Sequence, residues 1–277
     1  MDELAQLFGR TEVLALDRAV PDGAILETQV GMFNDHVAGE LSRLTEELDA
    51  PAIEDDRLGA SGALLRRTVL HRLEERSRVP VRDLHVVVGA GCRVVGTPYD
   101  LDYSVGSAFG FLAKYDGKVT SIGTDGQSAG GIGFHLTSQT DVDISITPAG
   151  DYEFSWISVA DAPDWRSSGG LGMTIYADGD PQPLFSRQVR LWDVRGAHAW
   201  QGGTGGGAFA DAANPVVPGG FGPLRLAPVI VRLQPGRRLL VWVWSWQVSN
   251  RAEGALAFLS MRVPAVTVCA SPTVVIP

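Results

Sequence analysis

The chain has 277 residues, 45% of them hydrophobic, with 33 glycines and a formal charge of −9. That is enough apolar content for a sizeable core, so wholesale disorder is excluded. An acidic chain whose basic residues are scattered lacks the electrostatic footprint that binds phosphate backbones, which excludes nucleic acid as a partner.

The acidity sits at the N-terminal end: residues 1–80 carry 16 acidic against 9 basic side chains, and the remainder 16 against 14. The first 30 residues include Asp2, Glu3, Glu12, Asp17, Asp22 and Glu27, so no secretory leader is expected, which points to a cytoplasmic protein or one released by another route. Runs such as Leu239 to Trp244 are too short to cross a bilayer as a helix.

After a short amphipathic turn (Leu4, Leu7, Phe8), Pro21-Asp22-Gly23 marks a bend. A helix is expected from Ala24 to Asp49, with an apolar stripe at Leu26, Val30, Phe33, Val37, Leu41, Leu44 and Leu48. The stripe repeats every 11 residues, which keeps it nearly straight along the helix. A second helix is expected over residues 61–77 (Leu65, Val69, Leu70, Leu73), and Pro80 closes a helical hairpin. Residues 1–80 thus read as an acidic helical segment for oligomerisation or docking.

From Val81 the period shifts from 3.6 toward 2. Strands are expected at 84–88, 93–97, 108–115, 132–137, 142–147, 152–159, 172–176, 185–194, 224–232, 237–249 and 255–268, with hairpin turns at 115–118 and 148–151. Residues 81–277 therefore read as a Gly-rich antiparallel β-sandwich or jelly-roll-like domain. The stretch Gly196 to Gly222 shows no period and reads as a long loop, a candidate contact surface bearing Trp200, Phe209 and Phe221.

The tract Gly202 to Gly207 lacks the Lys-Ser/Thr of a phosphate loop, and the five histidines have no zinc spacing. No nucleophile elbow occurs, so the reading leans away from an enzyme. Three Asp-x-Asp pairs are present and read first as turns, so no cofactor is expected; Asp178 and Asp180 around Gly179 are the pair best suited to calcium if one binds. Cys92 and Cys269 read as two buried thiols in preference to a bridge.

The most informative run is Val241 to Val248, in which alternation sends Trp242, Trp244 and Trp246 to one face and Val241, Val243 and Ser245 to the other. Both faces must be covered, and docking of the N-terminal helices on the tryptophans is the leading expectation. The alternative is a sugar-stacking platform, with Trp156, Trp165, Trp192 and Trp200 as further rings. The function that follows is a non-catalytic assembly or binding protein, partnered by itself or another protein. A carbohydrate-binding or glycan-active role and a pore-forming role are the alternatives.

Overall fold

The structure is a computed structural model that describes residues 16–18, 21–49, 91–106, 108–109, 113–123, 126–158, 165–195, 201–209, 226–250 and 255–272. It is mostly antiparallel β, in two sheets, with one long N-terminal helix. In chain order the elements are β1 (Leu16–Asp17), α1 (Gly23–Asp49), β2 (Cys92–Gly96), β3 (Leu101–Val105), β4 (Ala108–Phe109), the short α2 (Ala113–Asp116), β5 (Lys118–Gly123) and β6 (Gly126–Ser138). There follow β7 (Val142–Ser158), β8 (Arg166–Ala177), β9 (Phe185–Arg195), β10 (Gln201–Ala208), β11 (Val229–Leu233), β12 (Arg238–Ser249) and β13 (Ala255–Pro272). The expected strand at 84–88 and helix at 61–77 lie outside the described residues.

One sheet runs β1-β6-β12-β8-β9, with β3 also on β6; the other runs β10-β7-β13-β5-β4, with β11 on β7 and β2 on β13. The core between them takes the inward side chains of both sheets, among them Ile132, Phe134, Leu171, Met173, Val241 and Val243 from the first and Ile144, Ile146, Leu259 and Met261 from the second. The opposite face of β12 belongs to a separate cluster: Trp242, Trp244, Trp246 and Val248 meet Phe33, Val37, Leu41, Leu44 and Leu48 of α1. The molecule is thus three layers deep, helix on sheet on sheet. Docking of α1 on the tryptophan face, expected from the two apolar faces of β12, is what the structure shows.

The glycines explain how three indoles fit on one strand. In the ladder, Trp242 lies between Gly133 and Thr174, Trp244 between Gly131 and Gly172, and Trp246 between Ala129 and Gly170. The neighbouring strands supply small residues wherever β12 supplies a large ring, so the indoles spread sideways over bare backbone. A Cβ on Gly172 would lie 2.4 Å from Cε2 of Trp244, and one on Gly170 would lie 2.8 Å from Cζ2 of Trp246.

Several expectations are corrected. The turn at 148–151 is not a turn: β7 runs unbroken from Val142 to Ser158. Pro148 and Gly150 bend it opposite the register shift between Arg262 and Ala265 of β13, and Gly150 sits under the Arg262 carbonyl where a Cβ would come within 2.0 Å. The strand expected over 108–115 ends at Phe109, and Ala113–Asp116 coils into α2 before Gly117 turns the chain at φ +69° into β5. Cys92 and Cys269 are not free thiols: they form a disulfide that ties β2 to β13 across 177 residues of chain. A bridge over so long a loop restricts the unfolded chain strongly, by about 5 kcal/mol in the chain-entropy account.

Gly172→Ala should lower stability by about 1–3 kcal/mol in urea titration, because Trp244 is completely buried and cannot give way. Gly39→Ala, on the exposed face of α1 with no atom near its Cβ, should raise stability by about 0.5–1 kcal/mol.

Candidate functional site

Two places on this scaffold concentrate side chains that sequence reading singled out: the seam between α1 and its sheet, and the outer edge of β7.

At the seam, Phe33 stacks on Trp242 with centroids 4.1 Å apart and planes at 6°, and meets Trp244 and Tyr103 edge-on. Each fully buried apolar side chain of the stripe contributes about 1.5–3 kcal/mol. Trp242, Trp244 and Trp246 are at most 1% exposed, so the indole faces a sugar would need are occupied by the helix. The platform reading is corrected on that ground. Trp165 and Trp192 are buried as well, their indole N–H groups donating to Ser249 and Ser167 at 2.9 and 3.1 Å.

Polar contacts hold both ends of α1. Near its start, Gln29 donates through Nε2 to Oδ1 of Asp178 at 2.7 Å, and its Oε1 lies 2.9 Å from Nε2 of His135. The Asp100 carboxylate accepts from the backbone N–H of His135 at 2.7 Å and from Nε of Arg18 at 2.8 Å, and faces the His135 ring Nδ1 at 3.1 Å. This latch joins a loop before β3, strand β6, α1 and the β8–β9 turn. At the far end Arg166 donates to the Leu48 carbonyl, where a cation complements the helix dipole.

The fold also brings together Ser186 and His36, whose Nε2 lies 3.1 Å from Oγ of Ser186. That hydroxyl is 3.2 Å from Oγ1 of Thr174, which accepts the indole N–H of Trp244. His36 stands edge-on to Tyr176 and Trp244. The pair therefore ends a hydrogen-bonded chain that starts in the seam, and its geometry is that of an anchor for α1.

Asp178 and Asp180 lie together in the β8–β9 turn, but cations of the protein already face them: Arg238 stands 3.6 Å from Asp178 and Arg237 stands 3.9 Å from Asp180. Oδ1 of Asp180 accepts from the backbone N–H of Gln182, and Asp178 accepts from Gln29. Among the described residues no three His, Cys, Asp or Glu side chains gather as metal ligands. Arginines and a helix glutamine thus face the oxygens that a cation would take.

On the outer edge of β7 the long loop expected over Gly196–Gly222 is in part a strand. β10 pairs with β7 from Gln201 opposite Ser158 to Ala208 opposite Asp151. β11 then continues along the same edge, from Val229 opposite Ile146 to Leu233 opposite Val142. The glycines of β10 lie beside large rings of β7: Gly203 by Trp156, Gly205 by Phe154, Gly207 by Tyr152. Phe209, expected at a contact surface, is fully buried just beyond the end of β10, and Leu226 is fully buried just before β11. Trp200 and Phe221 lie outside the described residues. Sequence reading missed β10 because glycine carries no hydrophobic period; its signal is the alternation Tyr152, Phe154, Trp156 on the strand beside it.

No known protein family matches the chain, and no curated protein matches it. Among solved structures, the carbohydrate-binding module TmCBM61 in complex with beta-1,4-galactotriose aligns with a TM-score of 0.17 and 14% identity, over 64% of this chain and 86% of that one. The structure of infectious bursal disease virus Gx strain aligns with a TM-score of 0.16 and 15% identity, over 69% and 44%. Overlap this slight carries no functional argument. No helix among the described residues is long and apolar enough to cross a membrane.

Stability should fall in two stages on acidification. Burial lowers the pKa of His36 below 6.5, against the pull of the Glu40 carboxylate, so the unfolded chain takes up that proton first and stability declines as pH drops below about 6.5. Burial alone would raise the Asp100 carboxyl, but the His135 ring and N–H and the Arg18 guanidinium together hold it below 3.8, so its contribution is lost further down, below pH 3.8. His36→Gln should flatten the upper stage and leave the lower one, as read from urea midpoints measured between pH 8 and pH 3.

Proposed function

We propose that the chain is a non-catalytic binding or assembly protein, in which the helix-capped sandwich is a rigid carrier and the contact surface lies on the outer edge of β7. The observation that carries this reading is the way the chain leaves that edge and returns to it. β10 and β11 are collinear halves of one edge strand, and residues 209–228 depart opposite Asp151 and come back opposite Ile146, a gap of about 17 Å. Phe209 and Leu226 root the two feet in the core. Long connections between strands are commonly either functional or linkers, and we assign this one the first role.

The apolar stripe of α1 is already used within the chain, which leaves the helix as a cap in preference to an oligomerisation seam. With the three β12 indoles covered, the glycan reading is left with half-buried Trp156, Trp200 and the Asp-x-Asp turns, and we rank it second.

Replacing Asp211 to Leu224 by Gly-Ser-Gly should keep folding stability within about 1 kcal/mol of the parent, because neither foot is touched. The parent should show a higher-mass species in light scattering and cross-linking, and the same variant should lose it. A variant with the mass distribution and cross-links of the parent would overturn the placement of the contact on residues 211–224.

A further inference from the structure

Sheet edges carry unpaired N–H and C=O groups, and proteins guard them with charges, shortness, bulges or proline. Among the described edges the guards are plain to see. β9 carries Arg187, Arg190, Asp193 and Arg195, and its pairing with β8 slips at Gly169/Gly170. β4 and β1 are two residues long, and the five-residue strands β2 and β3 carry Arg93 and Asp102. β11, also five residues, is guarded by the Arg232–Asp141 ion pair.

β10 has none of these devices. Its eight residues, Gln-Gly-Gly-Thr-Gly-Gly-Gly-Ala, hold no charge and no proline, pair with β7 without a register shift, and are largely exposed. The inward face is closed by Tyr152, Phe154 and Trp156, so what remains open is backbone.

We propose that β10 is a self-pairing edge, at which a second copy of this chain adds its own β10 antiparallel and joins the two seven-stranded sheets across a two-fold axis. The proposal deepens the assembly reading by naming the partner. The sequence of β10 suits a second copy because it is self-complementary in side-chain size. Alternate residues of a strand face opposite sides, so a two-fold axis perpendicular to the sheet pairs residues of like parity. With the axis at Gly205, Thr204 faces Gly206 of the second copy and Ala208 faces Gly202 of the second copy. Thr204 and Ala208 thus each meet a glycine, which lets the two backbones approach closely along Gly202 to Ala208. β10 itself carries no charge, and the nearest carboxylates, Glu153 and Asp151, stand one strand back on β7 beside Gly206 and Ala208, so a −9 chain brings no charged side chain into the strand-to-strand contact itself.

The test is sedimentation or light scattering of the full chain over a range of concentrations, with Thr204→Lys and Thr204→Glu beside the parent. Thr204 is exposed on the outer face of β10, so neither change should disturb the fold, and tryptophan fluorescence with urea checks that. The parent should be a dimer. Each variant alone should have its dissociation constant raised about fivefold by like charges across the axis, and an equimolar mixture of the two should recover dimer. Alternate amides of Gly202 to Ala208 should exchange more slowly in the dimer than in Thr204→Lys.

A parent that stays monomeric, or a Thr204→Lys variant with an unchanged dissociation constant, would overturn self-pairing. The two readings separate in the chain lacking residues 211–224: a dimer there that Thr204→Lys weakens supports the edge and counts against the inserted segment. Loss of association there, with Thr204→Lys in the parent having no effect, supports the inserted segment and refutes the edge.

Discussion

The structure depends on one constraint: β12 is apolar on both faces and lies inside its sheet, between β6 and β8. A strand of this kind cannot exist in a two-layer sandwich with a wet outer face, because three contiguous indoles would be exposed. The second sheet covers Val241 and Val243, and α1 covers Trp242, Trp244 and Trp246. The helix is thus part of the β-domain's core packing. The polar latch at Gln29 and the cation at Leu48 fix its position on rings that already attract it.

The same constraint accounts for the unusual composition. Indoles on one strand need room on the strands beside it, so β6 and β8 carry glycine at 131, 133, 170 and 172, facing the rings. Glycine costs strand stability through backbone entropy, and here that loss is offset by the aromatic area laid over it. The pattern recurs on β7 and β10, where Tyr152, Phe154 and Trp156 lie beside Gly207, Gly205 and Gly203. Much of the glycine that looked like loop material in the sequence is therefore the complement of an aromatic ladder.

What could be read in advance follows from which interactions are local. The 11-residue stripe of α1 and the alternation of Val241 to Val248 are one-dimensional patterns, and together they implied a helix lying on the tryptophan face. The boundaries Gly23–Asp49 and Arg238–Ser249 differ by one residue from those expected. The latch among Gln29, Asp100, His135 and Asp178 has no such pattern, because its members come from four elements and share only the seam. The turn expected at Pro148 to Asp151 failed for a different reason. Proline and glycine there serve a bend matched to one in β13, and a bend in a paired strand has the same composition as a turn. β10 was invisible because the aromatics that order it belong to another strand.

The division of labour that emerges places rigidity and recognition on opposite sides of the molecule's logic. Phe33 and the three β12 indoles are turned inward, Arg18 pairs with Asp100 and Arg190 with Glu47, and the helix is tied at both ends. The outer edge of β7 is built the other way: bare backbone on β10, Phe209 and Leu226 buried at the ends of β10 and β11, and charge only on β7 and β11. An edge strand stripped of side chains gains nothing for the core beyond what alanine or valine could supply elsewhere, and it gives up the protection that β9 and β11 retain. The glycine strand is accounted for on its inner side by the rings it accommodates. Its outer side carries none of the guards that β9 and β11 retain, and that contrast is the observation behind the proposed pairing.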